Sequence, residues 1–320
     1  MRLIYTMHMP LFMGLCGYFF FYSIRKWPTI MDYARHKLPK RLLGLIIPML
    51  TFGLLKEVIS IFRHGYDVTL FSFLKQWYGM ARSVWFLGDL AVNTLIVLLL
   101  WHFCSGKFRH DWKIFLLGLP LATIPKITYM SPWMYLYFVI GFAVAAYIKG
   151  DMRRFLAYWK STLMFFTVSY ILFSYMPWPP MDISLNYHQH SLLQLFVNDS
   201  LKIVLGISGS YLFLVLIFRL IPHISKPEFL QRAAVGGRYT LDVYLIQIIL
   251  VECILGPLNR TYLMEQGWDF FNYAGMSGML LRCFMTFLAA CILLEVVLFI
   301  SKLLNRNRWT AKLFFYRDVR

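Results

Sequence analysis

The chain has 320 residues, of which 59% are apolar and only 15% charged, with a formal net charge of +17. Soluble domains carry nearer a quarter charged residues, and a water-soluble fold of this length could not hide so much apolar surface, whereas a bilayer accepts helices that are apolar all round. A soluble domain is therefore excluded. The positive charge, which in a soluble protein would point to nucleic acid, becomes a topology signal instead, because lysines and arginines hold cytoplasmic loops in place; no basic stripe on a polar helix supports a nucleic-acid partner.

A spanning helix needs about 20 mostly apolar residues. On that criterion the sequence predicts an all-α, polytopic integral membrane helical bundle of about nine transmembrane helices, at roughly 3–23, 42–62, 83–104, 114–130, 132–148, 161–177, 199–218, 239–257 and 278–300. The fourth is interrupted by Pro120, Pro125 and Lys126 and reads as a broken or re-entrant helix, whose backbone would need protein cover. Residues 1–300 read as one membrane domain and 301–320 as a basic tail.

Lysine and arginine fall unevenly between these spans. Alternate segments, from 24–41 to the tail, hold 23 of them, and the intervening segments hold 6. Positive loops stay inside, so the C-terminus is expected in the cytoplasm and, with nine spans, the N-terminus outside. The first span starts at residue 3 with no polar segment before it; either it inserts with its N-terminus outside, its other end held in by the basic stretch 24–41, or an earlier span precedes Met1. Cys16, Cys104, Cys253, Cys283 and Cys291 lie in or beside apolar stretches without a CxxC or a paired spacing. Neither a disulfide nor a metal site is predicted from them.

Ionisable residues inside a membrane are costly and usually face a protein-lined or wet interior. The predicted spans contain His8, Lys56, Glu57, Asp89, His102, Lys202, Asp242, Glu252, Arg282 and Glu295. Seven of these (His8, Lys56, Glu57, Asp89, Lys202, Glu252 and Arg282) fall in the outer half, which predicts a polar cavity open to the outside; snorkelling of Lys56, Lys202 and Arg282 near helix ends is the plainer alternative. His8 lies roughly 7 Å into the first span at 1.5 Å per residue. A neutral imidazole there could take a proton from a hydroxyl, or serve as a hydrogen-bonded structural group.

Five stretches then occur in a consistent order. Met7-His8-Met9-Pro10-Leu11-Phe12, followed by Cys16-Gly17-Tyr18-Phe19, resembles the HMPLF…SGY/F helix of the membrane acyltransferase 3 family. The run from Arg41 to Pro48 is similar to that family's RxxRLLIP element, Trp85-Phe86-Leu87 to its WFL helix start, and Tyr135 to Gly141 to its YFxxG helix. The stretch from Gly237 to Gln247 is similar to its G-x-x-S/T-L-x-I/V-Y-L-x-H element. The nearest branch in flavour is the fucose 4-O-acetylase-like one. The resemblance implies an integral membrane O-acyltransferase of a bacterial inner membrane that moves an acyl group, usually acetyl, from acetyl-CoA to a sugar hydroxyl of a cell-surface glycan. Under it, His8 is the candidate catalytic base. Arg41, Lys40 and Trp85 are the candidates for the donor, and the basic segment 25–41 suits an anionic CoA, although plain positive-inside retention also accounts for most of its charges. Glu57, Asp89, Lys202, Tyr244, Glu252 and Arg282 are the candidates for the acceptor cavity, with membrane lipid and a glycan as partners.

The chain departs from the family pattern in places. The family's first helix, with its arginine and proposed catalytic histidine, has no counterpart; the second arginine of RxxR is Gly44; the serine of SG is Cys16; and the final histidine of the late element is Gln247. Two other functions fit the same buried charges: a glycan or lipid transporter or flippase without chemistry, and an inactive acyltransferase remnant. No inverted repeat favours the transporter. His188 and His190 form a lone HxH in an outer loop, too few ligands for a metal site. Gly206, Ser208 and Gly209 read as small-residue helix packing. No GxSxG, HExxH or Walker pattern occurs, so hydrolase, zinc-protease and NTPase functions have no support.

Overall fold

The computed structural model describes residues 2–65, 69–103, 115–123, 131–148, 155–175, 192–223, 231, 237, 239–256 and 276–317. Among these the regular structure is entirely helical. The helices are α1 (Arg2–Arg25), α2 (Ile30–His36), α3 (Leu38–His64), α4 (Leu70–Ser83), α5 (Trp85–Phe103), α6 (Gly118–Thr123), α7 (Ser131–Ile148), α8 (Trp159–Ser174), α9 (Leu192–Leu220), α10 (Thr240–Ile248), α11 (Met276–Arg306) and α12 (Arg308–Phe315). A 3₁₀ turn at Ile221–His223 ends α9, and a π-helical segment, Ile249–Leu255, continues α10.

Five described helical stretches are long and apolar enough to cross a bilayer: Met7–Arg25, Leu38–Arg63, Trp85–Phe103, Ser200–His223 and Phe287–Arg306, with Pro132–Ile148 a shorter apolar helix. Helix occurs at each of the nine expected places, but at the fourth only residues 115–123, with the short α6, are described. The surfaces carry the mark of a membrane protein. Along α8, Leu163, Met164, Phe165, Val168, Ile171 and Leu172 are exposed, and along α11 so are Phe287, Leu288, Ile292, Phe299 and Leu303. A water-soluble protein would not leave such contiguous apolar faces open.

The chain divides into two compact units, one of residues Met1–Lys40 and Gly88–Ser225, the other of Arg41–Leu87 and Lys226–Arg320. In the first, α1 packs on α7 and α9. Small residues let the backbones approach, as in other membrane helix pairs. A Cβ on Gly17 would lie 1.9 Å from the Phe138 carbonyl oxygen, and one on Gly141 1.8 Å from the Gly14 carbonyl oxygen. Gly206 of α9 sits under Pro10 and the Tyr137 hydroxyl, Gly209 sits under Met7, and the Ser210 hydroxyl donates to the Met7 carbonyl at 3.1 Å. Phe20, Phe138 and Phe142 form the aromatic centre of this unit, with Trp101 against Phe142 at 5.1 Å. Gly206 and Gly209 thus occupy the packing positions that their spacing suggests.

In the second unit, α4 is fixed at its start by a capping box between Thr69 and Ser72. It is joined to α3 by the Trp77 indole N–H, which donates to the Leu50 carbonyl at 3.0 Å, and by the close approach of Ala81 to Gly53. Helix α10 packs on α11. Within the expected basic tail, α11 continues to Arg306, Asn307 caps α12, and α12 folds back on α3. Phe314 and Phe315 meet Phe52, and the Thr51 hydroxyl donates to the Leu313 carbonyl at 2.9 Å. Tyr316, at φ 50°, takes the left-handed conformation that closes α12 and turns the chain.

Candidate functional site

His8 lies one residue inside the Met7–Arg25 span, about 26 Å along the helix from Arg25 at 1.5 Å per residue. The buried face of α1 is made by Pro10, Met13, Gly17, Phe20, Phe21 and Ile24. His8 belongs to a different stripe: it is exposed, packs edge-on against Phe12 at 5.2 Å, and shares that side of the helix with the exposed Phe19. An imidazole so placed is reachable from outside the helix rather than sealed within the unit.

At the other end of α1, the basic segment has a defined shape. The Thr29 hydroxyl caps α2, accepting from the Asp32 amide at 3.1 Å and donating to its carboxylate at 2.7 Å. Trp27 stacks on His36, and buried Tyr33 meets Phe20. This aromatic footing leaves Lys26, Arg35, Lys37 and Lys40 exposed. Lys40 and half-buried Arg41 are consecutive in the first turn of α3. The segment therefore presents several cations on and beside α2 and at the start of α3, which is what an anionic ligand requires.

The second unit joins two of the sequence elements. Phe86, from the Trp85-Phe86-Leu87 helix start, meets Tyr244 of α10 at 5.5 Å between ring centroids, and half-buried Trp85 lies against Phe86. Helix α10 is held from below. Asp242 is fully buried and accepts hydrogen bonds from Ser301 (2.7 Å), Asn305 (3.0 Å) and Arg317 (2.9 Å). Asp242 was visible in the sequence as an intramembrane carboxylate; Ser301, Asn305 and Arg317 were not singled out, since a polar residue near a chain end gives no sign of a buried partner.

Further along the same continuous helix, Glu252 stands on the π-helical segment, a feature often found where function distorts a helix. Buried Lys56 of α3 donates to Glu252 Oε2 at 2.6 Å and to Ser83 Oγ at 2.7 Å. Glu57, the next residue, is fully buried, and neither carboxylate oxygen has a hydrogen-bond partner among the described residues. Ser83 is the member that the sequence reading missed, because a serine at a helix end carries no chemical signature of its own.

The remaining candidates are placed individually. Asp89 is fully buried on α5, one turn before buried Asn93, whose amide donates weakly to the Met13 sulfur at 3.8 Å. Lys202 is half-buried on α9, with its carbonyl accepting from the Tyr137 hydroxyl. The Arg282 side chain lies outside the described residues, as do His188 and His190. Of the predicted acceptor group, Glu252 is paired with Lys56, and Glu57 and Tyr244 lie in the same unit. His8, Asp89 and Lys202 belong to the other unit.

No curated protein and no solved structure matches the chain. A family model for the acyltransferase 3 family, described as an acyltransferase domain, matches residues 1–313. With nearly the whole chain covered, and with Met7–Phe12, Arg41–Pro48 and Trp85–Leu87 each set on apolar helices, this protein belongs to the acyltransferase 3 family.

Proposed function

We propose that the chain moves an acetyl group from acetyl-CoA to a sugar hydroxyl of a cell-surface glycan, in a bacterial inner membrane with its C-terminus in the cytoplasm. The fucose 4-O-acetylase-like branch of the family is the nearest in pattern. The observation that carries this is the match of the acyltransferase family model over residues 1–313, joined to helices long and apolar enough to span a bilayer. The exposed cations from Lys26 to Lys40 support an anionic donor at that end of α1. The exposed imidazole of His8 at the opposite end of α1 supports a base within reach of an acceptor.

The chemistry is a single acyl exchange. His8 takes the proton of the sugar hydroxyl as its oxygen attacks the thioester carbonyl. A neighbouring cation stabilises the tetrahedral oxyanion. The C–S bond then breaks, the CoA thiolate takes the proton back from the imidazole, and an O-acetyl ester remains. Arg41 and Lys40 bind donor phosphates; Trp85 and Tyr244 shape the route of the acyl group.

Membranes carrying the wild type or His8→Ala, given acetyl-labelled acetyl-CoA and glycan, test this. Label is expected in the glycan with the wild type, falling by at least 100-fold in His8→Ala, within the usual contribution of a general base. Equal transfer by both removes His8 from the mechanism. Movement of glycan across vesicle membranes without any ester formed identifies a transporter instead.

A further inference from the structure

The short helix α12 leaves the end of the Phe287–Arg306 span sideways. Near its start, the Thr310 hydroxyl donates to the Leu304 carbonyl of α11. Just past its end, Arg317 reaches Asp242, which also accepts from Ser301 and Asn305 of α11. Both ends are thus tied to the last two turns of α11. The eight residues of α12, about 12 Å of helix at 1.5 Å per residue, lie across the end of the span, where bilayer meets water. The helix also sorts its side chains into faces. Ala311 and Phe315 are buried, and Phe314 and Phe315 meet Phe52. Arg308, Trp309, Lys312 and Leu313 form the outward face. Residues four apart are neighbours on a helix, so a cationic row, Arg308 and Lys312, runs beside an apolar row, Trp309 and Leu313. Trp309 is 82% exposed and Leu313 57%.

We infer that this outward face of α12 is a binding surface for anionic phospholipid headgroups, with Arg308 and Lys312 on the phosphates and Trp309 and Leu313 at the acyl boundary. Residues 296–317 carry five cations and no carboxylate. Arg317 is committed to Asp242, itself fully buried, which leaves Lys302, Arg306, Arg308 and Lys312 exposed together at the end of the span. Retention of a basic segment on one side of the membrane accounts for these four charges, but not for the bare indole and leucine among them. Such side chains are unfavourable in water and belong at the membrane boundary, where tryptophan gathers and amphipathic helices lie in the plane. The same face rejects other occupants. A second copy of the chain would bring the same four cations and repel. A soluble phosphate compound would satisfy the cations and leave Trp309 and Leu313 in water. A phospholipid brings phosphate and hydrocarbon in one molecule. The charges select an anionic one, since a zwitterionic headgroup carries its own cation to its phosphate. Each lysine or arginine near an anionic surface adds about fivefold to affinity. The surface is independent of the acyl-transfer chemistry.

The experiment uses the full chain in phosphatidylcholine nanodiscs, into which acyl-brominated phosphatidylglycerol or phosphatidylcholine is titrated. Tryptophan quenching is read, and the part due to Trp309 is the difference between the wild type and W309F. Brominated phosphatidylglycerol is expected to quench Trp309 with at least fivefold higher apparent affinity than brominated phosphatidylcholine. That preference is expected to fall below twofold in R308Q/K312Q and to persist in R308K/K312R, which keeps both charges. High salt, which screens exposed charges, is expected to reduce it in the wild type with the fold untouched. Equal quenching of Trp309 by the two lipids overturns the inference, as does a preference that survives both R308Q/K312Q and high salt. Absence of any quenching at Trp309 places the helix in water or under a protein partner. Loss of the preference on adding inorganic pyrophosphate gives the cations to a soluble phosphate ligand instead.

Discussion

Asp242 and Arg317, 75 residues apart in sequence, meet at two points: Nη1 of the arginine donates to Oδ2 at 2.9 Å, and Nη2 lies 2.9 Å from Oδ1. The carboxylate is fully buried and the arginine is 35% exposed. The pair is possible because α12 ends at Tyr316 in a left-handed turn, which directs the next residue back toward α10. The last described residue of the chain is thus fastened to the helix that carries Tyr244.

Removing one partner of such a pair leaves the other buried and uncompensated. Arg317→Gln is expected to cost about 2–3 kcal/mol of stability, at or below the low end for a buried pair because the arginine is partly solvated. Asp242→Asn is expected to cost less, since an amide oxygen still accepts from Ser301 and Asn305 while Arg317 can turn to solvent. Thermal unfolding in detergent measures both. If Asp242→Asn proves the more damaging, the arginine rather than the carboxylate is the group that needs its partner.

The crossing of α1 and α7 makes a sharper contrast between neighbouring glycines. A methyl on Gly17 would collide with the backbone of Phe138 at 1.9 Å, whereas one on Gly14 would lie 3.7 Å from the Tyr137 carbonyl oxygen, an ordinary contact. Backbone cannot step aside as a side chain can, so Gly17→Ala is expected to destabilise by about 1–3 kcal/mol through overpacking. Gly14→Ala is expected to be neutral or to stabilise by up to ~1 kcal/mol from the helix preference of alanine. Expression level and unfolding temperature of the two variants read this directly. Equal damage by both would mean that the helices do not cross at Gly17.

Much of the fold was legible, and the rest was hidden for physical reasons. Helices α1, α3, α5, α9 and α11 announce themselves by apolar runs about as long as a bilayer is thick. Helices α4 and α12 do not. In α4 the apolar Leu70, Phe71, Leu74 and Tyr78 alternate with Lys75 and Arg82, and in α12 Trp309 and Leu313 alternate with Arg308 and Lys312. A window tuned to 20 apolar residues passes over both. Within the candidate site, Lys56, Glu57, Glu252 and Asp242 stood out one by one because charge in a span is costly. The pairing of Lys56 with Glu252 across 196 residues, and of Asp242 with a residue beyond the last span, is tertiary information. No periodicity carries it, and the π-helical segment under Glu252 has no sequence signature at all.

Position 44 separates donor binding by Arg41 from mere retention of a basic loop. The family element has arginine where this chain has Gly44, one helical turn from Arg41, and side chains three apart on a helix are neighbours. The structure leaves room for a larger residue: nothing lies within 4 Å of a Cβ built on Gly44. Arginine also favours helix over glycine by about 0.5–1 kcal/mol, more than the few tenths lost to repulsion from Arg41. Gly44→Arg is therefore expected to fold at least as well as the wild type. If the first turn of α3 faces the donor phosphates, the added guanidinium strengthens donor binding by about 1 kcal/mol in a partly solvated place. The KM for acetyl-CoA should then fall about fivefold with kcat unchanged, the signature of added uniform binding. Arg41→Gln should move the same constant in the opposite direction. A normal fold with KM unmoved by either substitution would assign Arg41 to holding the loop in the cytoplasm and would place the donor elsewhere.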